Sequence, residues 1–231
     1  MEKNTEFYVV DFDRTLADSD KLFDVFVEIA DKYFKISREQ LEKAHEDFKV
    51  RGDSFDTASY VRDHLINEDR FDEWADLEKR YIHESHELNF LMPGASELLE
   101  WLAANGKRYG LLTYGNPLWQ RMKLAAAGFN HTRHIIMVTK EKGKLISSWQ
   151  QPDGSFRIPD ELGRGEAGRI VMIDDKAISF HEFPGAPSQG HWVLDPANEL
   201  PSQQGQVPEN VERHKDLFSV VETLTRLLQT S

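Results

Sequence analysis

The sequence predicts an α/β fold: a Rossmann-like parallel sheet of about five strands with helices on both faces, plus an inserted all-helical subdomain. Two observations predict it. Short continuous apolar runs recur along the chain with helical patterns between them, as expected of strands buried on both faces and joined by crossover helices. One long stretch, residues 21–90, carries helical patterns alone.

The first run, Phe7-Tyr8-Val9-Val10, is aromatic and β-branched and leads straight into Asp11-Phe12-Asp13. The stretch after it has amphipathic patterns over Leu22 to Phe34, Leu41 to Val50, Tyr60 to Ile66 and Phe71 to Leu88. With 18 acidic and 11 basic side chains in residues 21–90, it reads as a solvated helical block. It is far longer than the roughly 10–12 residues that a strand-to-strand crossover needs. The chain therefore divides into a Rossmann-like core, residues 1–18 and 92–231, and a helical insert, residues 19–91. Ala95 to Asn105 places Leu98, Leu99 and Leu102 on one helix face and stops at Gly106. Tyr109 to Thr113 is the second run, and Asn116-Pro117 then caps and opens a helix that reaches Ala127 before Gly128. His134 to Val138 and Arg169 to Asp174 are the third and fourth runs, and His191 to Leu194 is a weaker fifth. Residues 201–210 form a polar loop. Leu217, Val220, Val221, Leu224, Leu227 and Leu228 close the chain at helical spacing.

Composition excludes several functions. The 231 residues include no cysteine, which rules out a disulfide framework, a thiolate metal site and a cysteine nucleophile. Lys plus Arg number 28 and Asp plus Glu 40, a balance of −12 that argues against nucleic acid or an anionic membrane as partner. A phosphorylated small molecule stays compatible, because a divalent cation and a few lysines reverse the sign inside one pocket. No segment approaches the roughly 18 apolar residues of a membrane span, and no basic-then-apolar leader is visible. A cytoplasmic protein is expected.

Acidic residues gather at the ends of the runs. Asp11 and Asp13, at i and i+2 of an extended segment, project together while Phe12 turns aside. Open α/β sheets bind ligands at this strand end. Two carboxylates there repel unless a cation lies between them or one holds a proton, and a hard divalent ion such as Mg²⁺ suits oxygen ligands. A calcium loop does not fit, since Leu16 and Leu22 stand where it needs glycine and a bidentate acid. Asp174-Asp175 ends the fourth run in the same way, with helix capping as the ordinary alternative. Thr113 ends the second run ahead of a helix N-terminus and could hold an anion with its free amides. Lys140, Lys142 and Lys144 follow the third run. Lys144 is the choice to offset the acids, because it directly precedes Leu145-Ile146.

In order, Asp11-Phe12-Asp13-Arg14-Thr15-Leu16, Thr113, a lysine and Ile173-Asp174-Asp175 resemble the haloacid dehalogenase superfamily of phosphohydrolases. Its most specific parts are the first and last motifs, and residues 19–91 occupy the position of a helical cap. The resemblance implies that Asp11 is a nucleophile forming an aspartyl phosphate and Asp13 a general acid and base. It implies Mg²⁺ held by Asp11, the Asp13 carbonyl and an acid of the Asp174–Asp175 pair, with Asp175 the more direct ligand and Asp174 acting through water or by positioning the lysine. Thr113 would bind a phosphoryl oxygen and Lys144 would neutralise developing charge. Arg14 departs from the pattern, standing where many members have glycine. The implied activity is hydrolysis of a small phosphorylated metabolite. A phosphomutase, or a non-catalytic binding protein on the same fold, is the alternative, and Asp13 argues against a dehalogenase.

Three further features suggest less. Gly163-x-Gly165-x-x-Gly168 precedes its strand, so it lacks the mechanism of a dinucleotide fingerprint. His83 and His86 read as a solvated helix face, and Trp74, Tyr81 and Phe90 as packing between insert helices.

Overall fold

The structure is a computed structural model that describes residues 6–50, 54–194 and 199–229. Chain order runs β1 (Glu6–Val10), α1 (Ser19–Phe34), α2 (Arg38–Val50), α3 (Thr57–Asn67), α4 (Glu73–Ser85), α5 (Ala95–Ala104), β2 (Arg108–Tyr114), α6 (Pro117–Ala126) and β3 (His134–Met137). It continues with α7 (Lys142–Ser147), β4 (Phe156–Ile158), β5 (Gly165–Ala167), β6 (Arg169–Asp174), β7 (Gln189–Val193), β8 (Val211–His214) and α8 (Leu217–Gln229). Six strands form one sheet in the order β3-β2-β1-β6-β7-β8, with every pair parallel. The chain winds outward from β1 through β2 and β3, then returns to β6 and winds outward the other way. The reversal lies between β1 and β6, where an open sheet leaves a crevice at its strand ends.

The central strands β1 and β6 are apolar along most of their length because both faces are covered. Tyr8, Val10, Val171 and Ile173 pack on one face beneath α5, α6 and α8, while Phe7, Val9, Ile170 and Met172 pack on the other. That second face is covered by short elements, among them α7 and the antiparallel β4–β5 hairpin. The sixth strand, β8, was not legible as a strand: Val-Glu-Arg-His is a charged edge, which limits further pairing.

Helices α1–α4 follow β1 without an intervening strand and share one hydrophobic core with the sheet. Phe26 of α1 meets Trp119 of α6 at 4.9 Å and Tyr81 of α4 at 5.2 Å, ring centre to ring centre. The Tyr81 hydroxyl donates to the Leu22 carbonyl at 3.1 Å. No helix among the described residues is long and apolar enough to cross a membrane.

Beneath α8, at the β7–β8 edge, the His191 and His214 rings hydrogen-bond, Nδ1 to Nε2, at 2.9 Å. Burial pushes the His191 imidazole down to about 3 and lowers His214 as well, against the pull of Glu212 and Asp216. An unfolded histidine protonates near pH 6.5, so acid draws protons onto the unfolded chain while folded His191 refuses them. Stability from this site is therefore complete above about pH 6.5 and falls by up to about 1.4 kcal/mol per pH unit below it. His191→Gln is expected to be less stable than wild type at pH 7.5, with the gap closing by about 2 kcal/mol at pH 5. Urea unfolding at the two pH values measures this, and a constant gap would show that His191 takes its proton in the folded state.

Candidate active site

Asp11 continues the ladder of β1, its amide donating to the Ile173 carbonyl at 2.9 Å, so β1 delivers it beside the end of β6. Its side chain is buried, with Oδ1 accepting from Lys142 Nζ at 2.5 Å and Oδ2 from the Thr15 hydroxyl at 3.1 Å. Asp174 accepts from the same ammonium at 2.6 Å through Oδ2, and from the Lys176 amide at 2.9 Å through Oδ1. Asp175 Oδ2 accepts from Gln203 Nε2 at 2.7 Å, while its Oδ1 is buried without a hydrogen-bond partner. Oxygens of Asp11, Asp174 and Asp175 lie within 4.8 Å of one another.

Burial pushes the Asp11 carboxyl up to about 8, and the nearby Asp174, Asp175 and Asp13 charges add to it against the opposing Lys142. Burial raises Asp175 too. Lys142 is buried, which favours its neutral form, yet Asp11 and Asp174 outweigh that and raise it. Such a cluster is short of positive charge. Its donors are all carboxylate oxygens, one of them unpartnered, and that set fits a hard divalent cation such as Mg²⁺.

Asp13 points elsewhere. Its Oδ2 accepts from Gln120 Nε2 at 2.6 Å and its Oδ1 from the Lys123 ammonium, both on α6. Burial alone would raise this carboxyl, but Lys123 and Gln120 outweigh it and hold Asp13 below the usual carboxylate range. The Asp13 side chain therefore stands outside the acidic cluster, leaving only its backbone carbonyl for the metal role expected from the sequence. Thr113 is fully buried at the end of β2, with Oγ1 3.2 Å from Gln120 Nε2. The Asn116 side chain, expected as the α6 cap, instead donates to the Ser54 carbonyl at 3.1 Å. Arg14 sits in the left-handed region at φ 59°, the conformation that favours glycine there, and its guanidinium pairs with Asp20.

The lysine expectation is corrected. Lys144 is exposed and pairs with Glu141 at 3.4 Å, while Lys142 reaches the acids. Helix α7 begins at Lys142, and two residues along a helix turn the side chain by about 200°. Gln120, Lys123, Lys176 and Gln203 were all missed. Gln203 falls in the polar 201–210 stretch, and nothing in its neighbours marks it.

A model of the haloacid dehalogenase-like hydrolases matches residues 6–177, which include Asp11, Asp13, Thr113, Lys142, Asp174 and Asp175. The chain belongs to that family. Among solved structures, a haloacid dehalogenase-like hydrolase from Burkholderia xenovorans LB400 is similar at 18% identity and a TM-score of 0.63, covering 97% of this chain and 99% of its own. A HAD phosphatase from Thermococcus onnurineus matches at 20% identity and 0.56, covering 95% and 98%. A 2-haloacid dehalogenase from Pseudomonas syringae pv. Tomato DC3000 matches at 12% and 0.56, covering 96% and 99%. These likenesses share a fold across different chemistries. No curated protein matches the sequence.

Within this haloacid dehalogenase-like chain the two lysines should separate cleanly in hydrolytic activity. Lys142→Met is expected to lower kcat by about 10²–10³-fold, the size of losing one preorganised charge at a reacting centre. Lys144→Ala is expected to stay within about twofold of wild type, as a solvated surface charge. Steady-state assays of both variants check this, and equal losses would contradict the assignment.

Proposed function

We propose that the protein is a Mg²⁺-dependent phosphatase that hydrolyses a small phosphorylated metabolite in the cytoplasm through an aspartyl-phosphate intermediate. The observation that carries this reading is the buried convergence of Asp11, Asp174 and Asp175 around one position, with Asp175 Oδ1 unpartnered. Asp13 favours phosphoryl over haloacid chemistry, since a second acid beside the nucleophile serves a leaving oxygen.

Asp11, whose carboxyl is raised by burial and by the neighbouring acids, is ionised once the charge of those acids is neutralised. It attacks phosphorus in line as a carboxylate, forming the acyl phosphate as the ester oxygen departs. Lys142, already 2.5 Å from the nucleophile, offsets the charge spread over the phosphoryl oxygens. The Thr113 hydroxyl and the free amides at the start of α6 bind one of those oxygens. Asp13 is held ionised, so the proton it passes to the leaving oxygen enters with the substrate monoanion, whose second pKa is about 6. In the second half Asp13 takes a proton from water, which attacks phosphorus and frees Asp11 and inorganic phosphate. Asp11, Asp174, Asp175 and the Asp13 carbonyl would hold Mg²⁺, which supplies charge neutralisation between nucleophile and phosphoryl group.

Residues 19–91 act as a cap in this reading. A cavity of about 100 Å³ beside Asp13 is lined by Tyr114 and Lys176 from the core and by Phe23, His45 and Phe55 from the helical segment. A space of that size suits a small leaving group.

Cleavage of an aryl phosphate with and without Mg²⁺ tests the proposal. Asp11→Asn is expected to lose at least about 10³-fold, and chelation should abolish turnover until Mg²⁺ is restored. Activity that survives in Asp11→Asn would overturn the reading. Gln203→Ala is expected to weaken Mg²⁺ binding by about 10-fold or more, because it orients the Asp175 carboxylate. A Mg²⁺ titration of activity measures that shift, and kcat at saturating Mg²⁺ should change much less.

A further inference from the structure

We propose that Gln120 and Lys123 are positioning residues that hold Asp13 toward the leaving group and away from the metal; the inference rests on the phosphatase reading above. Both side chains are buried, one turn apart on α6, and each takes one oxygen of the Asp13 carboxylate. A buried ammonium is expensive without a partner, and among the described residues Asp13 is the carboxylate that pairs with Lys123.

Gln120 engages Asp13 through a fully committed amide group. Its Nε2 lies 2.6 Å from both Asp13 Oδ2 and the Tyr114 carbonyl, which take its two hydrogens. The Thr113 hydroxyl lies 3.2 Å from the same Nε2, an amide nitrogen that donates and cannot accept, so the hydroxyl's own proton stays free for a phosphoryl oxygen. This orientation leaves Gln120 Oε1 buried without a partner, at a cost of about 1–3 kcal/mol, and the two short donations to Asp13 and Tyr114 offset it. Turning the amide over would aim Oε1 at the Asp13 carboxylate. Gly115 completes the fit: a Cβ there would lie 2.6 Å from Gln120 Nε2, and its φ of 154° is one that side chains rarely adopt.

Without this clamp, Asp13 would be a free carboxylate two residues from Asp11 and would be drawn to the same cation. Proton delivery to the leaving oxygen would then fail, while attack by Asp11 would persist. The signature is selectivity for leaving groups. Good leaving groups need little protonation and poor ones depend on it.

The test compares kcat/KM, which reports the phosphorylation half-reaction, for 2,4-dinitrophenyl phosphate and phenyl phosphate. In Lys123→Met and Gln120→Leu, the phenyl substrate is expected to lose at least about 10-fold more than the dinitrophenyl substrate. Lys123→Arg, which keeps the cation, should restore part of the difference, and it covers the case in which Lys123→Met does not fold. Equal losses on both substrates, or none, would overturn the inference while leaving the phosphatase reading standing. Absence of Mg²⁺-dependent cleavage of either ester by the wild-type protein would overturn both.

Discussion

Carboxylates crowded at the mouth of a parallel sheet are the constraint on which the rest depends. Two like charges 4 Å apart at an effective dielectric near 20 repel by about 4 kcal/mol, more than a typical hydrogen bond returns. Three such groups, buried together, therefore need a positive charge built into the fold. Lys142 supplies it by bridging Asp11 and Asp174, and Asp175 is left with one unpartnered oxygen. The sheet topology makes this meeting possible. Asp11 and Asp174 leave adjacent strands on either side of the reversal point, so their convergence follows from winding order and not from nearness in sequence.

Placing Lys142 there requires α7 to lie close against the chain after β6. Gly143 makes that approach possible: a Cβ at this position would stand 2.3 Å from the His181 carbonyl and 2.9 Å from the Phe183 nitrogen. Both are backbone atoms, which cannot move aside as a flexible side chain would. One glycine thus fixes how near α7 comes and, with it, which lysine enters the acidic cluster.

Strands β1, β2, β3 and β6 were legible because a sheet covered on both faces needs uninterrupted apolar runs, and such runs are rare elsewhere in this sequence. Asp11, Asp13, Thr113, Asp174 and Asp175 stood out as candidates for a linked reason: each lies at or just past the end of such a run. The lysine was not. Choosing between positions 142 and 144 depends on which residue starts α7, and a shift of two residues nearly reverses the helix face. Gln120 and Lys123 look like ordinary polar helix residues until α6 is docked beside Asp13, and Gln203 becomes meaningful only when its loop folds back over β6. β8 was invisible because an edge strand needs charge where a central strand needs apolar side chains.

The helical segment and the sheet meet through α6, and that junction bears on the chemistry. Trp119 packs against both Phe26 of α1 and Tyr81 of α4, while its neighbours Gln120 and Lys123 hold Asp13. Asn116, at the start of the same helix, ties back to Ser54. The aromatic contacts anchor α6 in the core of the helical segment, and its polar face presents two donors to the carboxylate at the strand mouth. Any displacement of α1 and α4 relative to the sheet must strip apolar contact from Trp119, one residue from Gln120. The orientation of Asp13 is thereby set by how the two parts of the molecule pack, and the cavity between them is complete only where that packing is.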